Sequence, residues 1–466
     1  MSDLNKLSIT EAAKQMAAGE VTSVQITEAC LAEIEKRNPS LNAYLEVFAD
    51  AREQAQTADA RRAAGESHPL LGIPLAIKDN ILIEGRHASA ASKILGNYVA
   101  TYDATVIAKL KKAGAVFLGR TNMDEFALGG STENSAFGPT KNPYDESRVA
   151  GGTSGGSAAA VAAGMALGAL GTDTGGSVRN PASFCGVVGL KPTYGTVSRS
   201  GLVAAVSSFD QAGPIAKTVE DAELLFDAIC GKDPLDSTSI ENSKLKIENY
   251  KKIGVPRKLF EKGVEPEVLA QFESALTKLQ AKGYEVVDVE LPSLSYALAA
   301  YYIINFAEVS TNLARFDGVR YGLSQKGENL FDDYARSRGE GFGAETRRRI
   351  MLGTYVLSAG YYDAYYGKAT AARAQLRKEF ESAFTSVDLI ATPTMPYPAW
   401  KIGEKSDPLA AYLADIFTVT ANLTGNPAIS VPMGTVLRDG ADLPVGIQLT
   451  AAHGNEAALF AAAKQM

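Results

Sequence analysis

The chain has 466 residues, 46% of them apolar and 21% charged, close to the average soluble globular protein, so a large buried core is within reach. Its formal charge is −7, and no long Lys/Arg run is present. Proteins that grip nucleic acid unaided show a basic footprint, so direct tRNA or DNA binding is not supported, and the acidic balance speaks to solubility.

The N-terminus, Met1-Ser2-Asp3-Leu4-Asn5-Lys6, lacks the apolar stretch of a secretory signal. Ser8-Ile9-Thr10-Glu11 and Thr22-Ser23-Val24-Gln25 both fit the capping-box pattern, in which side chains satisfy free amides at a helix start, so two helices open the chain. A polar, Ala-rich helix is predicted from about 49 to 64, with a turn at 65–69. Ile73-Pro74-Leu75-Ala76-Ile77-Lys78 reads as a strand that delivers Lys78 at its end. An amphipathic helix over 103–113, ended by Gly114, leads into a strand at 115–118. Further strands are expected at 253–255, 284–291, 388–391, 428–431 and 445–450, with a helix over 265–282.

From about 299 to 384 the pattern is mainly helical and rich in Tyr and Arg, a helical elaboration of the core. Strands alternating with helices predict an α/β layered fold. Length alone would suggest two or three domains, but no repeat, low-complexity tract or Pro/Ser-rich linker divides the chain, and a single domain over 1–466 is expected.

The longest run of small apolar residues, Ala158 to Leu170, is broken by Gly164 and Gly168. It is shorter than the roughly 20 residues that span a bilayer. Cys30, Cys185 and Cys230 are an odd, scattered set, which argues against a disulfide framework and for a reducing compartment. The chain reads as cytoplasmic, or as lying in an organelle matrix after loss of a transit peptide.

The most unusual stretch is Gly151-Gly152-Thr153-Ser154-Gly155-Gly156-Ser157, then an Ala-rich helix, then Gly171-Thr172-Asp173-Thr174-Gly175-Gly176-Ser177. Glycines let backbone amides converge where a side chain would block them, and the interleaved hydroxyls supply nucleophiles or proton carriers. Either loop alone is usually only a turn. Two of them joined by one short, tightly packed helix would be held at a fixed separation.

Three chemistries could use such loops. A P-loop needs a Lys after its last Gly, and neither loop has one. An α/β-hydrolase elbow is formally met by Gly152-Thr153-Ser154-Gly155-Gly156, with His453 late in the chain. Yet 144–149 is polar and reads as no strand, and His453 precedes a plain loop and a terminal helix. The third option is a serine activated by lysine, which serves as a base if burial drives its pKa from about 10.4 toward about 7–8. Lys78 suits that role, although residue statistics alone favour a surface lysine paired with Asp79. Cys185 lacks a glycine two residues before it and reads as a small buried hydrophobe. No Cys/His set has metal-ligand spacing.

Lys78 and the two loops together resemble the amidase signature family. In its pattern a lysine ends an early strand, as in Gly72-Ile73-Pro74-Leu75-Ala76-Ile77-Lys78-Asp79, and two glycine-serine loops follow, matched by Gly151–Ser157 and Asp173–Ser177. Four further stretches are similar to one branch of that family, the glutamine-hydrolysing subunits of tRNA-dependent amidotransferases. They are Thr121-Asn122-Met123-Asp124-Glu125-Phe126, Phe316–Gly322, Arg348–Tyr355 and Gly360–Tyr366.

The resemblance implies a central mixed β-sheet covered by helices on both faces. It implies Ser177 as the acylated nucleophile, position 153 as a bridging hydroxyl on a cis-type peptide, and Lys78 as the base. Amides of Thr174, Gly175, Gly176 and Ser177 would face the oxyanion. Arg348 would pair with the α-carboxylate of glutamine and Asp415 with its α-amine, with Tyr301 or Tyr302 lining the pocket. Solvated neighbours Arg347 and Arg349 suggest for Arg348 an ordinary helix face instead. The family usually has Ser at 153, Ser at 130 and Gln at 180. Thr153 keeps the hydroxyl but stiffens χ1, and Gly130 and Asn180 are expected to matter little.

The branch further implies two partners. A B subunit would activate mischarged Glu-tRNA or Asp-tRNA with ATP and Mg and accept the ammonia, and a small C subunit would wrap the interface between the other two. The tRNA would be met through the B subunit. No cofactor, metal or membrane contact is expected of this chain. Two alternatives remain: a free-standing amidase of the same family, and a catalytically silent homologue whose support is Thr153.

Overall fold

Both capping boxes form. Ser8 Oγ accepts the Glu11 amide at 3.1 Å while Glu11 accepts the Ser8 amide at 2.8 Å, which starts α1 (Ile9–Ala17). Thr22 and Gln25 do the same for α2 (Ser23–Leu41). This is a computed structural model, and it describes residues 3–241, 251–260, 263–405 and 407–466.

Next come β1 (Tyr44–Val47), α3 (Ala51–Ala63), β2 (Pro74–Lys78), α4 (Thr105–Ala113) and β3 (Val116–Thr121). Gly114 closes α4 in the left-handed region at φ 81. The polar stretch after Tyr144 does form a strand: β4 (Lys141–Asn142) and β5 (Asp145–Val149) make a separate antiparallel ribbon. There Glu146 and Ser147 stay exposed and need no apolar partner.

The loop region holds α5 (Gly155–Ala162), β6 (Gly168–Asp173), α6 (Arg179–Phe184), β7 (Val188–Lys191), β8 (Gln211–Ala216) and α7 (Val219–Ile229). The second glycine-rich segment is therefore a strand as far as Asp173, and the loop begins only at Thr174. Its glycines answer to packing. A methyl at Gly168 would lie 2.9 Å from Ile9 Cδ1 of α1 and 3.0 Å from Leu225 Cδ1 of α7.

The rest of the chain gives β9 (Lys252–Val255), α8 (Pro266–Ala281), β10 (Glu285–Asp288), α9 (Leu294–Asn312), α10 (Leu330–Gly341), α11 (Ala344–Val356) and α12 (Lys368–Ala383). It ends with β11 (Leu389–Pro393), α13 (Pro408–Tyr412), α14 (Val419–Thr424), β12 (Ala428–Arg438), β13 (Ala441–Ala451) and α15 (Glu456–Ala463). The predicted late strands and the helical elaboration appear, with β12 and β13 longer than expected because they pair as one long hairpin.

Eleven strands form one mixed sheet flanked by helices, in the order β1-β3-β2-β6-β8-β7-β12-β13-β11-β9-β10. β2 runs parallel to both of its neighbours, β3 and β6. All three therefore end at one edge of the sheet, which delivers Lys78, the segment after Thr121 and the loop after Asp173 to the same place. Open α/β sheets bind ligands at the carboxyl ends of parallel strands.

One large apolar cluster joins the sheet to helices that include α1, α2, α4, α7 and α8. A second gathers α9 and α12 around Phe126, Phe209 and Val419, which gives the elaboration its own core. Among the described residues no helix is long and apolar enough to cross a membrane.

Helices α9 and α11 approach so closely that a methyl on Gly353 would overlap the Phe306 carbonyl. Gly353→Ala is expected to destabilise the fold by about 1–3 kcal/mol. Urea unfolding would check this, and an unchanged midpoint would contradict the close approach.

Candidate active site

Lys78 leaves the end of β2 fully buried, at 0% exposure. Its Nζ lies 2.7 Å from Thr153 Oγ1, 2.8 Å from Ser154 Oγ, 2.9 Å from Thr172 Oγ1 and 3.2 Å from the Thr172 carbonyl. Among the described residues it makes no ion pair. Asp79 is engaged elsewhere, with Ser89, the Ala91 amide and Arg120, so the reading of Lys78 as a surface lysine paired with Asp79 fails. Burial lowers the Lys78 pKa from 10.5 to about 7, against the more distant charges of Asp124, Asp173 and Asp210, which raise it.

The Gly152–Thr153 peptide is cis, as the resemblance implied. The two loops are joined directly: the Ser154 amide donates to the Ser177 carbonyl at 3.0 Å. Ser177 is 6% exposed, and among the described residues its hydroxyl has no hydrogen-bond partner. Lys78 thus touches Thr153 but stops short of Ser177. Ser154 and Thr172, which sequence reasoning did not assign to the site, complete the oxygen shell of the amine.

A buried ion pair supports the second loop from below. Asp173 meets Arg179 at 2.8 Å, with both side chains at 0% exposure. Burial alone would raise the Asp173 pKa, but the Arg179 charge and hydrogen bonds outweigh it and hold the carboxyl well below its usual range. Asp173 also accepts the amides of Gly176 at 2.9 Å and Val178 at 3.1 Å. Of the amides expected to face an oxyanion, that of Gly176 is therefore engaged within the loop, while those of Thr174, Gly175 and Ser177 lie outside this cage. Gly175 and Gly176 must be glycine, because methyls there would overlap Tyr301 and Thr418, and Gly176 sits at φ 126.

Beside this cluster opens a cavity of about 270 Å³, lined among others by Gly130, Tyr302, Arg348, Arg349, Trp400 and Asp415. Asp415 accepts the Tyr302 hydroxyl at 2.6 Å, and burial raises its pKa to about 7. Arg348 faces the cavity while paired with Glu345, which also holds the buried Arg349 at 2.7 Å. Arg349 and Glu345 were not singled out from sequence, although Arg349 lies next to Arg348. The two tyrosines part company. Tyr302 lines the cavity, whereas Tyr301 is stacked on Phe209 above Gly175.

The departures at 130 and 180 meet each other. Asn180 Nδ2 donates to the Gly130 carbonyl at 3.0 Å, and a methyl at Gly130 would find ordinary contacts with Asn180 and Asp415 at 3.7 and 3.8 Å. His453 bonds the Thr424 carbonyl at 2.9 Å, while the Ser154 hydroxyl belongs to Lys78, so no α/β-hydrolase triad forms. Cys185 is fully buried with its thiol pKa pushed up by desolvation, as suits a packing residue.

The Amidase family model matches residues 25–460. The chain belongs to the amidase family. Among its amidase relatives, the A subunit of glutamyl-tRNA(Gln) amidotransferase from Roseiflexus sp. is 53% identical over 96% of this chain and 93% of its own. The A subunit of the same name from Desulfatibacillum aliphaticivorans is 51% identical over 97% and 95%. Among solved amidase structures, the A subunit of glutamyl-tRNA(Gln) amidotransferase from Thermotoga maritima superimposes with a TM-score of 0.81 at 43% identity, covering 99% of this chain and 94% of that one. The peptide amidase of Stenotrophomonas maltophilia gives 0.80 at 32%, covering 98% and 96%.

An amine that must be neutral to accept a proton sets the pH dependence of an amidase built this way. With the Lys78 pKa near 7, the fraction of free base falls about tenfold per pH unit below that value and levels above it. The rate at which a fluorophosphonate probe labels Ser177 is expected to follow that curve. A rate that is flat from pH 5 to 8 would show that Lys78 is not the base.

Proposed function

We propose that this amidase is the glutamine-hydrolysing subunit of a tRNA-dependent amidotransferase that converts Glu-tRNA(Gln), or Asp-tRNA(Asn), to the amide. The observation that carries the reading is the buried Lys78 bonded to Thr153 beside the Ser177 hydroxyl, the amine pairing with no carboxylate and the hydroxyl with no partner among the described residues. The relatives at about half identity over nearly the whole chain support the choice of branch.

In the proposed mechanism Ser177 Oγ attacks the side-chain amide carbon of glutamine. Its proton passes to Thr153, whose own proton goes to neutral Lys78. Substrate closure brings the Thr153 and Ser177 hydroxyls together, as catalytic hydrogen bonds often tighten only in the complex. The amides of Thr174, Gly175 and Ser177, which lie outside the Asp173 cage, stabilise the oxyanion by a few kcal/mol for each well-placed donor. Lys78 then returns its proton through Thr153 to the leaving nitrogen, which departs as ammonia, and water releases glutamate from Ser177 by the same route. Asp415 and Arg348 supply the two charges that a free α-amino acid requires. An arriving ammonium would draw the Asp415 proton off, since a nearby opposite charge favours the ionised form.

The ammonia is consumed by a B subunit that activates mischarged tRNA with ATP and Mg, and a small C subunit completes the complex. Such an assembly works in the cytoplasm, where tRNA is charged. A second reading, a free-standing amidase of another small amide, is favoured by the nearly equal superposition on the peptide amidase.

Two experiments test these readings. Ser177→Ala is expected to abolish glutamine hydrolysis while still co-purifying with B and C subunits, and normal hydrolysis by that variant would eliminate the proposal. Full glutaminase activity of the wild-type chain without partners would instead favour the free-standing enzyme. Thr153→Ala should lower kcat by about a hundredfold or more, and Thr153→Ser should stay within about tenfold of wild type. A Thr153→Ala enzyme at wild-type rate would remove Thr153 from the relay.

A further inference from the structure

Two acidic residues adjacent in sequence, Asp124 and Glu125, are both buried, at 0% and 2% exposure, and bind different halves of the site. They follow β3, at the sheet edge where Lys78 also emerges. Asp124 Oδ2 accepts the Thr132 amide at 2.8 Å and Oδ1 accepts the Asn134 amide at 3.0 Å. A methyl on Gly129 or on Gly152 would overlap the Asp124 carboxylate. The carboxylate is therefore wedged between the cavity wall at 129–134 and the peptide that leads into Thr153. Thr132 Oγ1 adds a second tie, donating to the Gly151 carbonyl at 2.8 Å.

Glu125 reaches the other way. It accepts Ser92 Oγ at 2.5 Å, Thr346 Oγ1 at 2.5 Å and the Gly343 amide at 2.8 Å. Gly343 caps α11 and Thr346 lies in its first turn, two and three residues before Arg348 and Arg349. A carboxylate is favourable at a helix N-terminus, so Glu125 anchors α11 by charge as well as by hydrogen bonds. The segment between these anchors holds Phe126, Ala127 and Thr132 at φ 52, 59 and 65, a region non-glycine residues rarely adopt and keep only where neighbours over-determine it.

We propose that Asp124 and Glu125 are positioning residues that fix the relay and the glutamine-binding helix relative to each other. Asp124 sets the chemical rate through the Gly152–Thr153 segment, and Glu125 sets glutamine affinity through α11 and Arg348. The inference rests on the function proposed above, in which Thr153 relays the proton and Arg348 takes the α-carboxylate.

The test is steady-state kinetics of the assembled complex with glutamine and with butyramide, an amide that lacks both α-charges, together with the rate of fluorophosphonate labelling of Ser177. Asp124→Asn should label at least about tenfold more slowly than wild type and lose kcat on both amides. Glu125→Gln should label within about threefold of wild type yet lose at least about tenfold more kcat/KM for glutamine than for butyramide.

Should Glu125→Gln fail to fold, Thr346→Val removes one donor and leaves the charge, and the same preference for glutamine loss is expected. Should Asp124→Asn fail to fold, Thr132→Val removes the parallel tie to the Gly151 carbonyl while leaving the Asp124 carboxylate and its amide donors in place, and slower labelling is expected. Parallel losses on both amides with unchanged labelling would overturn the proposal and leave the two carboxylates a purely structural role. A wild-type complex that labels at Ser177 and hydrolyses butyramide but not glutamine would overturn the reading of the pocket, and the Glu125 arm with it.

Discussion

Lys78 is surrounded by the oxygens of Thr153, Ser154 and Thr172 and, among the described residues, by no carboxylate. Hydroxyls and a carbonyl solvate the amine without demanding that it be charged, and burial then lowers its pKa to about 7. A salt bridge in the same place would keep the proton on and rule out the proposed role as a base. Asp79, the nearest acid in sequence, is drawn off by Arg120 and Ser89, and Asp173 is neutralised by Arg179. The arrangement is one of exclusion as much as of contact.

The sheet makes that exclusion possible. Because β2, β3 and β6 are parallel neighbours, three consecutive strand ends open at one edge, and the lysine reaches the loops with its stem inside the core. The direct bond between the Ser154 amide and the Ser177 carbonyl then fixes the spacing of the two loops. Glu345, Arg348 and Arg349 of the cavity come from the helical elaboration and Asp415 from the segment before α14, so the groups proposed for recognition lie on other parts of the chain than the lysine and the two loops.

Sequence patterns carried much of this and missed the rest for identifiable reasons. Capping boxes and strands rich in branched residues were legible because their signals are local. β6, β7 and β8 were not, since Gly168–Asp173 and Gln211–Ala216 are built of small residues that suit close helix packing rather than the usual strand pattern. Lys78, Thr153 and Ser177 stood out as members of short motifs. Ser154, Thr172, Asp124 and Glu125 lie in such stretches without a role there, and Arg349 reads as solvated, because their meaning lies in partners far along the chain. Thr172 is 94 residues from Lys78, and Thr346 is 221 from Glu125. Neither spacing nor composition encodes such a meeting.

A lysine held neutral in the interior also weighs on the molecule as a whole. Unfolding lets the amine take up water and a proton, so the native state carries a deficit on the order of a few kcal/mol from this one group. The deficit is complete below about pH 7, where the folded protein must protonate a buried amine, and it fades as the pH nears 10.5, where the free side chain sheds its proton too. Whole domains are stable by only about 5–15 kcal/mol. A small scaffold would be unfolded by such a site. The breadth of the eleven-stranded sheet and its helical coat is in part the reserve that lets this residue stay dry.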